Sequence, residues 1–173
     1  MAEQQQRNPN LMNPKAMAAV AGTRGAGEQV VLFSEVLTKV NNAKDKPKKI
    51  EVLRRYNTPN MRMVLKGAFD PKIEWDLPPG IPPYIANEAP AGTEHTYLEL
   101  EAKRLYNFVK GGNNQLNKIR KETLFIQMLE GLHAEEAKVL IDMKNKTLNK
   151  TYKGLTSEMV KEAFGWNADF VKP

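Results

Sequence analysis

Six prolines and two glycines fall within the 23 residues from Asp70 to Gly92, DPKIEWDLPPGIPPYIANEAPAG. Proline lacks the backbone donor and clashes with a preceding helical turn, so neither a regular helix nor a central strand can run through this stretch. The fold must therefore form on either side of a long, stiff connection. Trp75, Leu77, Ile81, Tyr84 and Ile85 lie inside it. Apolar residues at that density predict an ordered loop pinned to the body, not a linker between independent domains.

On both flanks the apolar spacing is helical. In Val30 to Val40, the residues Phe33, Val36, Leu37 and Val40 recur at intervals of three and four. Asp45 with Pro47, and Thr58 with Pro59, are cap-then-proline signatures that predict helix starts, and Gly67 predicts where the third helix stops. After Thr93 come a helix carrying Leu98, Ala102, Leu105 and Val109, stopped by Gly111-Gly112, and one ending at Gly131. The latter presents Leu116, Ile119, Thr123, Leu124, Ile126 and Met128 on its apolar side. A helix from Ala134 follows, with Glu135 and Glu136 in its first turn, and a last one is capped by Thr156 or Ser157. About seven helices and no convincing strand predict an all-α fold: one compact multi-helix domain over residues 30–173. Its 173-residue length suits a single domain.

Residues 1–29 differ in kind, being rich in Gln, Asn, Ala and Gly and free of aromatic residues. Such a segment buries too little apolar surface to offset the entropy of ordering it, which predicts a flexible arm. Pro14 and Lys15 interrupt what would be the apolar region of an export signal, so export is not expected. The chain has no cysteine, which excludes disulfides and thiol catalysis. His95 and His133 are too far apart to suggest a metal cluster. No apolar run approaches the ~20 residues that span a bilayer.

The formal net charge of +6 is unevenly spread. Residues 30–66 carry 9 basic and 3 acidic side chains, whereas residues 67–100 carry 1 and 6. This predicts a basic body with an acidic loop. The cations gather at predicted turns: Lys44, Lys46, Lys48 and Lys49, with Arg54 and Arg55 further along the same helix; Lys118, Arg120 and Lys121; and Lys144, Lys146, Lys150 and Lys153. A solvated helix face explains a charge run taken alone. Clustering at turns points instead to phosphate, because there a helical domain offers backbone N–H groups and side chains together.

Catalytic motifs are weighed and rejected. Gly22 to Gly27 has neither the spacing of a phosphate loop nor a preceding strand. Glu135 and Glu136 are adjacent on a helix and point about 100° apart, and acids at a helix start have a capping explanation. His133, just before that helix, reads as a cap or surface residue. The aromatic residues read first as core. The sequons at Asn145 and Asn149 matter only in a secreted protein. No catalytic residue, cofactor or metal is expected.

The stretches Leu32 to Leu37, Lys46 to Arg55 and Arg62 to Pro71, then Leu132 to Leu140, Lys153 to Ser157 and Val160 to Gly165, resemble the N-terminal helical DNA-binding domain of phage ATP-dependent DNA ligases. The chain after about residue 30 is also similar to an uncharacterised small protein family of large tailed phages, including those of cyanobacteria. The first resemblance implies contacts to duplex phosphates from Lys48, Lys49, Lys118, Arg120, Lys121, Lys153, Gly154, Thr156 and Ser157. The adenylation domain and its Lys-x-Asp-Gly motif are absent from the sequence, so ligation is not expected. The expectation is a non-enzymatic phage accessory protein that binds the backbone of duplex DNA, in replication, recombination or packaging, in the cytoplasm of an infected bacterium. The alternative is a virion structural or accessory component whose arm, residues 1–29, docks on neighbouring subunits; through the same arm, phage or host proteins are further expected partners.

Overall fold

In the computed structural model of the chain, the structure describes residues 31–87 and 96–173. The expected arm, His95 and the last residues of the proline-rich stretch lie outside them. Among the described residues the fold is all-α, with eight α-helices, one 3-10 helix and no strand beyond two isolated bridges.

Local capping explains where the helices start. Helix α1, Phe33–Asn42, is followed by α2, Lys46–Arg55, whose cap Asp45 accepts from the Lys48 N–H at 3.0 Å. Helix α3, Pro59–Phe69, is capped by Thr58, which accepts from the Met61 N–H at 3.1 Å. Each cap satisfies a donor that the first turn leaves without an intrahelical acceptor. The helix expected around residues 98–109 is shorter: α4, Leu98–Glu101, tightens at once into a 3-10 helix, Ala102–Phe108. Helix α5 is Lys118–Gly131, α6 is Ala134–Asn145, the short α7 is Leu148–Thr151 and α8 is Ser157–Phe164. Asn117, His133 and Thr156 cap α5, α6 and α8 through their side chains. Helix α7 has no counterpart in the sequence expectation.

Two sequence expectations are corrected by packing. Gly67 does not end α3, which continues to Phe69. It is there because Trp75 folds back on it: a Cβ at position 67 would lie 2.5 Å from the indole Cζ2, and the indole N–H donates to the Gly67 carbonyl at 3.0 Å. On α5 the buried face is Lys121, Phe125, Met128 and Leu129, while Ile119 and Thr123 are exposed. Phe108 from the 3-10 helix meets Phe125 edge to face, 5.3 Å between ring centres, and this contact turns α5 away from the face that spacing alone suggests.

One core runs through the domain, with Leu37, Leu53, Leu65, Leu98, Leu105, Leu129, Leu140, Leu155 and Val160 fully enclosed. Glu136 lies within it. Its carboxylate accepts from the backbone N–H of Phe33 at 2.8 Å and of Leu98 at 3.0 Å, so one acid serves the starts of both α1 and α4. Negative charge is favoured at both helix N-termini, which is what makes a buried carboxylate tolerable here.

Candidate nucleic-acid interface

Much of the expected basic surface is occupied in holding the proline-rich loop. Lys121, expected to face a phosphate, is instead buried, and its ammonium lies 2.9 Å from the Asp76 carboxylate. The hydrogen bond from Lys121 holds the Asp76 carboxyl below its ordinary pKa, against the opposing effect of desolvation. Lys118 approaches the same carboxylate at 4.0 Å but stays mostly exposed. Lys144 is buried and donates to the Pro78 and Gly80 carbonyls, each at 2.8 Å. Lys146, in a left-handed backbone conformation, reaches the carbonyls of Gly67 at 2.6 Å and Asp70 at 3.0 Å. Burial lowers the pKa of both ammonium groups. The acidic loop expected from the sequence is thus largely neutralised among its described residues, with Asp70 buried, Asp76 paired to Lys121 and Glu74 paired to Lys110 at 3.3 Å.

Other candidates cap helices. Lys49 donates to the last carbonyls of α1, Val40 at 3.0 Å and Asn41 at 2.9 Å. Arg54 does the same for α8, reaching Ala163 at 3.1 Å and Glu162 at 3.3 Å. Cations at helix C-termini complement the macrodipole, so both sit where structure alone requires them. Lys46 pairs with Glu162 at 3.0 Å, and Arg55 lies 3.9 Å from Glu51 one turn back. Arg120 is exposed at the start of α5.

Apart from Lys118 and Arg120 on α5, the remaining candidate cations lie on segments that meet at one junction. The Gly154 N–H donates to the Asn41 side chain at 2.7 Å, and a Cβ at position 154 would sit 2.6 Å from the Lys49 ammonium. This close approach sets the turn before α8 against the turn between α1 and α2. Lys44 and Lys153 are exposed on these turns, Lys48 in the first turn of α2 and Lys150 on the short α7, and no ion pair engages them among the described residues. Two nearby acids have partners: Glu162 faces Lys46, and Glu158 lies 3.5 Å from Lys161. Asp45 is turned to its own helix start. Thr156 spends its hydroxyl on the Met159 N–H, and the Ser157 hydroxyl lies 3.4 Å from Glu158. Of the twelve residues singled out from the sequence, Lys48 and Lys153 lie on the two segments that meet here, each exposed and without an ion pair among the described residues. Lys49 and Gly154 form the packing beneath them. Asn41, which makes the junction, carries no sequence signal of its own.

A family model described as a family of unknown function, DUF6433, matches residues 36–150. The chain belongs to the DUF6433 family. The DUF6433 match runs from within α1 to within α7, so it includes Asn41, Lys48 and the lysines that clamp the loop, and stops short of Lys153. No curated protein and no solved structure matches the chain. No helix among the described residues is long and apolar enough to cross a membrane.

Proposed function

We propose that this protein binds the phosphate backbone of duplex DNA at the junction of the α1–α2 turn and the turn before α8, as a non-enzymatic accessory protein of a phage. The observation that supports this reading is the Asn41–Gly154 contact, which sets the end of α1, next to Lys44, against the turn that carries Lys153. Lys44, Lys48, Lys150 and Lys153 can each meet a phosphate without first breaking an ion pair. Release of condensed counterions then supplies the affinity, with little dependence on base sequence. The phage setting rests on the resemblance of the sequence, and the virion alternative rests on residues 1–29, outside the described residues.

Titration of a labelled duplex at several salt concentrations tests the reading. Four phosphate contacts give a log-log slope of affinity against salt of about −3.6 for B-form DNA. Binding that is absent at the lowest salt, or indifferent to salt, contradicts it.

A further inference from the structure

Three isoleucines stand out from the fold: Ile81 is 76 % exposed, Ile85 80 % and Ile119 77 %. All three lie along one side of α5. The backbone N–H of Ile85 donates to the Glu130 carboxylate at 2.8 Å, so the loop runs beside the helix there. Ile81 lines a cleft of about 170 Å³ with Pro79, Pro82, Pro83, Glu122 and Phe125. Ile119 sits one turn before Glu122 on the same helix face. Glu130 lies eleven helical steps beyond Ile119, about 16 Å along the axis, with the cleft between them.

The loop is held in this exposed position by polar clamps. Lys144 fixes Pro78 and Gly80, Asn145 both donates to and accepts from Gly80, and Lys121 fixes Asp76. Gly80 takes φ +86°, which turns the chain at the middle of its prolines and brings Ile81 outward. A run of prolines that docks as a continuous polyproline helix would not contain that turn. Ordering entropy for these isoleucines is therefore already met in the isolated fold, as it is at preorganised interfaces.

We infer that this face is a two-fold contact between copies of the chain. Protruding branched side chains lie beside a cleft whose walls are mostly proline, Leu77 and Phe125, with Glu122 and Lys144 as its polar members, which is the self-complementary arrangement an isologous interface needs. An apolar cavity of about 150 Å³ accepts a benzene-sized group, so the cleft has room for an isoleucine of a second copy. Charge agrees with this occupant. Lys118 and Arg120 lie at the start of α5 and Glu130 near its end, so antiparallel pairing of α5 with its copy sets the basic end of each helix against Glu130 of the other. The contact is separate from the basic junction and does not depend on DNA binding.

Sedimentation velocity of the full chain, without nucleic acid and from low to high micromolar concentration, tests the inference. A reversible dimer is expected, with Ile85→Asp and Ile119→Asp each weakening association about tenfold or more. Val171→Asp, at an exposed site elsewhere, serves as the control and leaves association unchanged. Thermal melts of the variants establish that they fold, since these side chains contribute little to the core of a single copy. A wild-type chain that stays monomeric throughout, or a dimer indifferent to both isoleucine substitutions, overturns the inference.

Discussion

Gly154 donates its backbone N–H to the Asn41 side chain across 113 residues of sequence, at 2.7 Å. The bond ties the end of α1 to the turn before α8, and the bare α-carbon of Gly154 lets the Lys49 ammonium pass beneath. Gly154→Ala is expected to displace Lys49 from the α1 carbonyls it caps and lower stability by about 1 kcal/mol. Denaturant unfolding monitored by circular dichroism reads this, and an unchanged midpoint would show that the junction tolerates a side chain.

Lys121 and Asp76 form a well-enclosed ion pair at 2.9 Å. Lys121→Met leaves the partly exposed Asp76 carboxylate with Lys118 and the more distant Lys110, and a loss of about 1.5 to 3 kcal/mol is expected, as for a hydrogen bond to a charged group. The pH dependence has a definite sign. Because the Asp76 pKa is lowered in the folded state, its contribution is fully present above the ordinary value of 3.8 and is lost as pH falls below that value through the folded one. Acid titration of wild type should therefore show a loss of stability below about pH 4 that is smaller in Lys121→Met.

Gly67→Ala places a methyl group against the Trp75 ring, which is fixed by its hydrogen bond to the Gly67 carbonyl. Overpacking of this kind costs about 1 to 3 kcal/mol. The change should shift the tryptophan emission as the ring is displaced. A melting temperature equal to that of wild type would mean the ring has room to move.

Lys144→Met removes the donor shared by Pro78 and Gly80. The expected result is faster amide exchange confined to residues 77–85, with the helices protected as before and a modest loss of stability, about 1 to 2 kcal/mol. Uniformly faster exchange throughout the chain would instead make Lys144 a support of the whole core.

Helix starts were legible because their determinants are local: Asp45 and Thr58 sit beside the prolines they precede, and each cap bonds within three residues. The all-α class followed from the same signals. The fate of the lysines was not legible, because a lysine that clamps a loop and one that awaits a phosphate have the same side chain and the same turn-rich neighbourhood. What separates Lys121 from Lys153 is Asp76, which comes close only when the proline-rich loop has folded onto α5. The same holds for Glu136, where the local reading accounts for an acid in the first turn of α6 but not for its service to Phe33 and Leu98, 103 and 38 residues away. The apolar face of α5 was misread because Phe108, the residue that selects Phe125 for burial, lies in a different element.

The most direct test of the account is the salt dependence of duplex binding in charge-reversal variants, read by fluorescence anisotropy. The pair Lys48→Glu with Lys153→Glu should lower affinity at every salt concentration and reduce the slope by about 2. Lys138→Glu, beside Glu135 in the first turn of α6 and so at the other end of α1 from the junction, should bind as wild type does. Equal losses in the junction pair and in Lys138→Glu, or no loss in the junction pair, would contradict a binding surface at the Asn41–Gly154 contact.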